Sequence, residues 1–531
     1  MTSTSVAETY DIVIVGSGIN SLVCAAELSL KGRKVLVLER AETAGGCIRT
    51  EEVTLPGYRH DIFSMSYPLF VTTPFYPMLK PHLDREGVRM VSAKFPTGVL
   101  LPDGRSLLLR QDRAANVARF DSEAIGDGQA HARAMTSIER ASPLLFGLLG
   151  NEPKSLASLG LALREGLTRG WNGTSAIAAD ALEPLRSWVE RDFSSELLAA
   201  LIAPWVLHVG LGPDSAFSAM MGKIVLFTLE AAGLPFVEGG GARLVEAFTR
   251  IITTHGGAIR TSSDVASVIV ERGRARGVVL ETGESVHAGR AVVCNTTPTQ
   301  LYKRLLADVP IDGLTRSGAD RYRYGRADMQ IHIALKEPPR WPSPELAQVG
   351  LLHLTAGLNA VSKAVNEADR GLLPTNPTIV VGQPADADPS RCPPGASLLW
   401  IQLQELPRIV TGDAAGEIAP PADGRWNDDI ARNYARRVLD ELRRHITNFD
   451  DAVLDIHVMG PHVLESFNIN LVGGDPYSGV CSLDQFHFLR PFSGNRGHAT
   501  PVRGLYHIGA STHPGPGLSG TSGHMAAAAI G

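Results

Sequence analysis

The feature that most constrains the fold lies near the start of the chain, where residues 11–28 have the sequence DIVIVGSGINSLVCAAEL. Residues 12–15 are β-branched and predict a strand that is buried on both faces of a parallel sheet. Apolar residues then recur at helical spacing over about 18–31, and residues 35–38 predict a second strand. This order of strand, glycine-rich turn, helix and strand is typical of a nucleotide-binding β-α-β unit.

The residues of the turn suit a nucleotide site. In such units the first glycine makes a tight turn, the second lets the backbone approach a pyrophosphate, and the third permits close packing of helix on strand. Gly16 and Gly18 occupy the first two positions, and Ser21 stands at the third, where it is nearly small enough. Glu39 ends the second strand and is placed to accept hydrogen bonds from a ribose diol. We therefore predict a nucleotide site, with an ordinary β-α-β unit as the less favoured alternative.

Two other glycine-rich stretches are better explained as turns. Residues 208–216 repeat the glycine spacing, but Pro213 interrupts them, and no strand with a terminal acid follows at the right distance. Residues 238–244 lack a preceding strand of adequate length. The sequence thus predicts one dinucleotide fold and no second one for a nicotinamide.

A second glycine pair follows shortly after Glu39. Gly45 and Gly46 precede Arg49, which places backbone N–H groups and a guanidinium where they can contact a diphosphate lying across the crevice. Such a long, extended ligand fits FAD better than NAD.

Motifs at both ends of the chain point to one protein family. Residues 45–50 have the pattern G-G-x-x-R-[ST], and residues 504–530 read GLYHIGASTHPGPGLSGTSGHMAAAAI. With these motifs the chain resembles the phytoene desaturase and carotenoid isomerase-like (phytoene dehydrogenase-related) branch of the FAD-dependent amine oxidase superfamily. The terminal segment is the more specific of the two. Residues 264–298, 322–335 and 463–475 also resemble this branch, so the likeness covers most of the chain.

The chain departs from the family pattern at two positions. Ser21 replaces the usual glycine, and Cys47 stands where family members often carry arginine, which weakens one phosphate contact. The motifs and the resemblance together imply FAD as the cofactor. The residues predicted to contact it are Gly16, Gly18, Ile19, Asn20, Glu39, Arg40, Gly45, Gly46, Arg49, Val265, Gly509, Ala510, Gly517 and Leu518.

The resemblance implies an α/β fold in which an α+β substrate domain is inserted into a discontinuous, Rossmann-type FAD-binding domain. The FAD-binding domain is predicted to comprise residues 1–105, 225–300 and 470–531. The substrate domain is predicted to comprise residues 106–224 and 301–469.

Patterns within the substrate domain predict its elements. Residues 106–224 are mainly helical in pattern, whereas residues 329–335 and 397–406 predict strands of an antiparallel sheet capped on one side. An amphipathic helix is expected at about 429–446. Residues 383–396 and 412–424 are rich in Pro, Asp and Ala and predict surface loops.

Desaturation needs a hydride acceptor, which is flavin N5, and a group that assists loss of a proton from the neighbouring carbon. His513 lies in the loop expected beside the flavin ring, where it contacts the substrate, tunes the flavin or only supports the loop. His208 and Tyr67 are further catalytic candidates, although a packed core position is the favoured explanation for both. The helix that follows the loop is expected to aim its N-terminus at the flavin N1 and C2 carbonyl.

These features predict an FAD-dependent oxidoreductase that desaturates an apolar or cyclic small molecule and passes the electrons to an acceptor such as oxygen or a quinone. Three alternatives stay open. A flavin amine oxidase would oxidise a C–N bond and carry an aromatic cage, but the terminal segment lacks the aromatic residue that such enzymes commonly place there. A non-redox isomerase would shift double bonds with reduced flavin. A flavin-containing scaffold would have no substrate.

Composition and missing motifs argue against other classes. The net charge of −5 predicts no nucleic-acid partner, and the lack of H-E-x-x-H, G-K-[ST] and G-x-S-x-G motifs predicts no metal hydrolase, ATPase or esterase site. Five scattered cysteines predict reduced thiols and a cytoplasmic location. No transmembrane segment is predicted; residues 197–213 are expected to form a buried helix beside a pocket, with peripheral contact to lipid as the alternative. The oligomeric state is left open.

Overall fold

The computed structural model describes residues 9–531. In chain order, the strands of the described residues are β1 (Tyr10–Val15), β2 (Val35–Leu38), β3 (Thr50–Glu51), β4 (His60–Asp61), β5 (Met90–Ser92), β6 (Phe95–Leu100), β7 (Ser106–Leu109), β8 (Pro235–Val237), β9 (Ala258–Arg260), β10 (Val265–Glu271), β11 (Arg274–Leu280), β12 (Ser285–Asn295), β13 (Ala327–Leu335), β14 (Val349–Leu354), β15 (Leu372–Leu373), β16 (Ile379–Gly382), β17 (Ser397–Leu406), β18 (Gly412–Asp413), β19 (Val453–Met459) and β20 (Leu505–Ile508).

The α-helices of the same residues are α1 (Ile19–Leu30), α2 (Pro68–Val71), α3 (Tyr76–Arg85), α4 (Arg113–Glu123), α5 (Asp127–Gly150), α6 (Leu156–Leu182), α7 (Leu185–Asp192), α8 (Glu196–Ile202), α9 (Ser218–Ala232), α10 (Ala242–Thr254), α11 (Gly313–Asp320), α12 (Leu358–Asp369), α13 (Asp428–His445), α14 (Phe449–Ala452), α15 (Pro461–Phe467) and α16 (Thr521–Ile530).

The first sheet has the order β10-β11-β12-β1-β2-β9, and β20 pairs with β12. The strands β9, β2, β1, β12 and β20 run parallel, whereas β10 and β11 form an antiparallel hairpin at one side. On one face α1 packs against α10 and α16. The Val and Leu residues of β2 are buried throughout, as expected for a parallel sheet covered on both faces.

The long strand β12 joins the two ends of the chain. Its residue Val293 lies between Ile14 of β1 and Tyr506 of β20. The N-terminal half of β12 pairs instead with β11. The nucleotide-binding unit at the chain start and the glycine-rich segment at the chain end are therefore held side by side.

The second sheet has the order β19-β13-β17-β16-β14-β6-β7. Its strands are antiparallel except for the pair β6 and β14. The side chains of Met329 and Ile331 on β13 and of Ile401 and Leu403 on β17 pack into an apolar core with Val438 of α13. The opposite face of these strands is available to line a cavity.

Most predicted elements are confirmed. The first β-α-β unit corresponds to β1, α1 and β2, the two central strands of the substrate domain to β13 and β17, and the amphipathic helix to α13. The α/β fold class is also confirmed. The division into domains stays a prediction. At one of its boundaries, residues 95–105 are predicted to belong to the FAD-binding domain, whereas strand β6 of this segment pairs within the second sheet.

The prediction that residues 383–396 form a surface loop is wrong for the middle of this segment. The Arg391 side chain is fully buried, and its guanidinium contacts Asp388 at 2.7 Å and Asp61 of β4 at 2.8 Å. Asp61 in turn accepts hydrogen bonds from the Thr50 hydroxyl (2.6 Å) and the Gly241 N–H (2.9 Å). This ion cluster fastens the loop to the β3–β4 hairpin and to the start of α10, because a buried charge needs a partner.

We predict that Arg391→Met strongly destabilises the protein, because the carboxylates of Asp61 and Asp388 would stay buried without their cation. Removing one partner of a buried ion pair costs about 3–5 kcal/mol. Urea denaturation measures the change, with Arg425→Met as the matched control, since Arg425 is exposed. A variant at position 391 that unfolds at the same urea concentration as the wild type would contradict the role given to the cluster.

Candidate functional site

A cavity of about 680 Å³ lies between the carboxyl edge of the first sheet and the polar face of the second. Its walls at one end come from the turns after β1, β2 and β12, and at the other end from β13, β17 and the helix α9. In open parallel sheets, ligands bind beyond the carboxyl ends of the strands where the strand order reverses. Here that point lies between β1 and β12, which are neighbours in the sheet but far apart in the sequence.

Glu39 organises the turn beside this crevice. Its Oε2 accepts hydrogen bonds from the Ser17 N–H at 2.9 Å and the Ser17 hydroxyl at 2.6 Å, while Oε1 accepts one from the Ala41 N–H at 2.8 Å. A carboxylate has about four acceptor positions, so Glu39 keeps capacity for a ligand hydroxyl. The Ser17 hydroxyl also accepts from the Gly45 N–H at 2.9 Å, which ties the second glycine pair to the first turn.

The N-terminus of α1 faces the cavity. Gly18 is its N-cap, no side chain caps the helix there, and Gly18, Ile19 and Asn20 all line the cavity. The free N–H groups and the helix dipole make such a terminus a binding site for an anion.

Asn295, at the end of β12, explains the unusual Ser21. The Asn295 side-chain amide donates a hydrogen bond of 2.9 Å to the Ser21 hydroxyl. Serine at the third position therefore links α1 to the neighbouring strand, in addition to allowing close packing. Asn295 also lines the cavity, and its side chain leaves no room for a Cβ atom at Gly509, whose φ is +112°. Asn295 is not among the residues predicted to contact the cofactor, although it directly follows the run of buried residues at 291–294 in β12.

The second glycine pair approaches the first turn closely. A Cβ atom on Gly46 would lie 3.0 Å from the Gly18 Cα, and the φ of Gly46 is +61°. The Arg49 guanidinium lies over the ring of Phe467, with 4.9 Å to the ring centroid, and pairs with Glu51. Burial raises the pKa of Cys47 to about 11, so the thiol stays neutral and offers no charge to a phosphate.

The C-terminal segment closes the same end of the cavity. The Gly509 N–H donates to the Ser522 hydroxyl in the first turn of α16 at 2.9 Å. The next residue, Ala510, lines the cavity together with Gly517 and Leu518. Of the residues predicted to contact the cofactor, all but Gly45 and Gly509 line the cavity, and these two are held directly against residues that do.

The far end of the cavity combines apolar side chains with the polar residues of the second sheet. Leu229, Leu351 and Trp400 contribute to its walls. His208 lines it too, and its Nε2 lies 2.9 Å from the Nε2 of the buried His353. Burial lowers the pKa of His208 to about 3 and that of His353 well below its usual value, so both imidazoles are neutral at ordinary pH.

The structure separates the three predicted catalytic side chains. Tyr67 and His208 line the cavity, and the Tyr67 hydroxyl has no hydrogen-bond partner among the described residues. His513 is buried outside the lining, where its Nε2 is 3.1 Å from the Leu148 carbonyl, although Pro514 and Pro516 of the same loop do line the cavity. Residues 197–213, for which contact with lipid was the alternative, are mostly buried and contribute Trp205, His208 and Val209 to the cavity.

These residues fit FAD. The site offers an acceptor for a ribose diol at Glu39, free N–H groups for a pyrophosphate at α1, and a cradle at Gly18 and Gly46 that a Cβ atom would fill. The described side chains of His, Cys, Asp and Glu form no group of three or more that suits a metal ion. Across residues 9–531, every helix is too short or too polar to cross a membrane.

Known proteins resemble the chain along nearly its whole length. The NAD(P)-binding Rossmann-like domain family matches residues 14–76. The pyridine nucleotide-disulfide oxidoreductase domain-containing protein 2 of Rattus norvegicus is 29% identical over 98% of this chain and 92% of its own. A limonene dehydrogenase component of Castellaniella defragrans is 23% identical, over 98% and 94% of the two chains. A neurosporene-forming phytoene desaturase of Cereibacter sphaeroides is 24% identical, over 96% and 92%. The chain is therefore similar, over nearly its whole length, to oxidoreductases that include a phytoene desaturase and a dehydrogenase.

Solved structures have the same fold. An oxidoreductase from Methanosarcina mazei aligns with a TM-score of 0.63 and 17% identity, over 98% of this chain and 100% of its own. A putrescine oxidase variant aligns with a TM-score of 0.59 and 14% identity, over 98% of each chain. The predicted α/β fold is therefore confirmed, and the likeness to the desaturase and the dehydrogenase over nearly their whole length supports the predicted resemblance.

We predict that Glu39→Gln weakens FAD binding about tenfold to hundredfold, because a charged acceptor is lost and the new amide group faces the N–H donors of Ser17 and Ala41. Titration of the cofactor-free protein with FAD measures the dissociation constant. Glu42→Gln is the matched control, since Glu42 is an exposed residue at the rim of the same cavity. Equal affinities of the position-39 variant and the wild type would refute the assignment of Glu39.

Proposed function

We propose that the protein is an FAD-dependent dehydrogenase that introduces a double bond into a largely hydrophobic or cyclic small molecule. The observation that carries this proposal is the continuous cavity that joins the cofactor-binding turns to an apolar chamber. The names of two relatives, a limonene dehydrogenase component and a phytoene desaturase, support a substrate of this kind. Oxygen or a quinone is the proposed electron acceptor, and the five free thiols suit a reducing compartment such as the cytoplasm.

Bound FAD supplies a hydride acceptor for the oxidation. The chain binds the substrate between Leu229, Leu351 and Trp400, whose apolar surfaces exclude water from the reacting carbon. We propose that Tyr67 and His208 contact the substrate, because both line the cavity. His513 lies outside the lining, so we propose that it supports the loop that carries Pro514 and Pro516.

A neutral substrate is favoured over an amine. Burial raises the pKa of Asp328, the carboxyl group on the chamber wall, well above its usual value, which favours its uncharged form. Since His208 and His353 are also neutral, these three described side chains provide no formal charge for an ammonium group. The amine oxidase alternative therefore lacks the counter-charge that a cationic substrate needs.

Anaerobic mixing of the FAD-loaded enzyme with candidate substrates tests the proposal. We expect cyclic or isoprenoid compounds, either hydrocarbons related to limonene and phytoene or their oxygenated derivatives, to bleach the visible flavin band, and oxygen or a quinone to restore it. Putrescine and cyclohexylamine should leave the band unchanged. The rate of bleaching should stay constant between about pH 5 and about pH 8, because His208, with its pKa of about 3, becomes charged only in stronger acid.

Each alternative has its own outcome in this experiment. Bleaching by amines and not by hydrophobic compounds would show an amine oxidase. Conversion of a substrate to its double-bond isomer without any electron acceptor would show an isomerase. A flavin that no compound bleaches, in a protein that isomerises no compound, would support a scaffold.

A further inference from the structure

Polar side chains occupy one face of the second sheet where hydrophobic residues are expected. On β13 and β17, alternate residues point into the apolar core, and the residues between them face the cavity. Gln330 lies directly opposite Gln402 in the register of these strands, and Asp328 and Gln404, each two residues away along its strand, lie on the same side of this pair. All four residues, Asp328, Gln330, Gln402 and Gln404, line the cavity. We call them the polar row.

The polar row is buried and only partly hydrogen-bonded. Asp328, Gln330 and Gln404 are 1%, 2% and 4% exposed. The Gln402 amide donates to the Asp328 Oδ2 at 2.6 Å, whereas the Asp328 Oδ1 and the Oε1 atoms of Gln330 and Gln404 have no hydrogen-bond partner within the described residues. Buried polar atoms without partners are rare and costly, so three along one cavity wall call for a ligand that satisfies them.

The row lies on the wall that the second sheet provides, and the cofactor-binding turns of the first sheet line the same cavity. A ligand group held by Asp328 would therefore share one continuous cavity with the cofactor.

We propose that the polar row binds an oxygen substituent of the substrate, so that the substrate is an oxygenated hydrophobic molecule, with a carbonyl or hydroxyl group, and not a plain hydrocarbon. This inference rests on the proposed function and narrows its substrate class. The amide groups of Gln330 and Gln404 each offer an acceptor and two donors, and a protonated Asp328 offers a donor at Oδ1. A carbonyl oxygen accepts from these donors, and a hydroxyl group can also donate to the unpartnered amide oxygens.

The neutral state of the row supports an oxygen group over an ammonium group. Burial raises the pKa of Asp328 well above its usual value, and the partners on the adjacent strand are uncharged amides. A site built to hydrogen-bond an oxygen atom discriminates strongly against an analogue that lacks it, because the polar atoms of the site are then left unpaired.

Matched probes that share one carbon skeleton test this inference by binding alone. The probes are p-menthane, menthone and menthylamine, together with the open-chain pair decane and 2-decanone. Binding to the FAD-loaded enzyme is followed by the shift of the visible flavin spectrum and by the change in Tm. We expect each ketone to bind at least about tenfold more tightly than its hydrocarbon, as one well-placed hydrogen bond provides.

Two variants of Asp328 test whether this residue causes the preference for ketones over hydrocarbons. Asp328→Leu should make the affinities for ketone and hydrocarbon equal, while Asp328→Asn, which keeps a donor of the same shape, should retain most of the preference. Both variants should keep bound FAD, and the Tm of ligand-free Asp328→Leu should fall slightly, because the Gln402 amide loses its acceptor at Oδ2 while the unpartnered Oδ1 is removed.

Several results would overturn the inference. It is wrong if no ketone binds more tightly than its hydrocarbon to the wild type, if menthylamine binds more tightly than menthone, or if Asp328→Leu keeps the ketone preference. Because these measurements require no turnover, they are separate from flavin bleaching, which tests the proposed function. If ketones bind more tightly than hydrocarbons but no compound bleaches the flavin, the inference about the polar row is supported and the proposed dehydrogenase function is rejected.

Discussion

The pairing of β12 with β1 on one side and β20 on the other is the constraint on which the site depends. It brings the first turn, Glu39 and the terminal glycine-rich loop to one edge of one sheet, although some 490 residues separate them. Asn295, the last residue of β12, contacts the segments that follow both partner strands, since it donates to Ser21 of α1 and excludes any side chain at Gly509 after β20. The order of the strands in the sheet therefore assembles the cofactor site, whereas each local motif contributes only some of its residues.

A second principle is the contrast between paired and unpaired polar groups in the interior. Arg391 is fully buried, but two carboxylates and backbone carbonyls satisfy it, so it has a structural role. Asp328 is as deeply buried, but one of its oxygens lacks a partner among the described residues. Since unsatisfied polar atoms reduce stability, their concentration along one cavity wall is best explained by function.

Sequence patterns were sufficient to predict the features that depend only on residues close together in the chain. The glycine turn, Glu39, the strands β13 and β17 and the terminal loop each have a short-range pattern, and all were predicted from it. The polar row was not, because MQIHIAL and SLLWIQLQEL alternate in polarity in the same way whether their second face meets solvent or a cavity. The partners of Arg391 were also beyond prediction, since Asp61 lies 330 residues away. Asn295 directly follows the apolar run AVVC at residues 291–294, so the sequence does hold a local signal for this position.

The central claim is that this strand arrangement holds one FAD molecule per chain. Denaturing the purified protein and identifying the released cofactor by chromatography and mass spectrometry tests this claim most directly. The account predicts FAD in a ratio of about one per chain, either as purified or after incubation of the cofactor-free protein with FAD. Release of a nicotinamide nucleotide instead, or a protein that retains no FAD after that incubation, would contradict it.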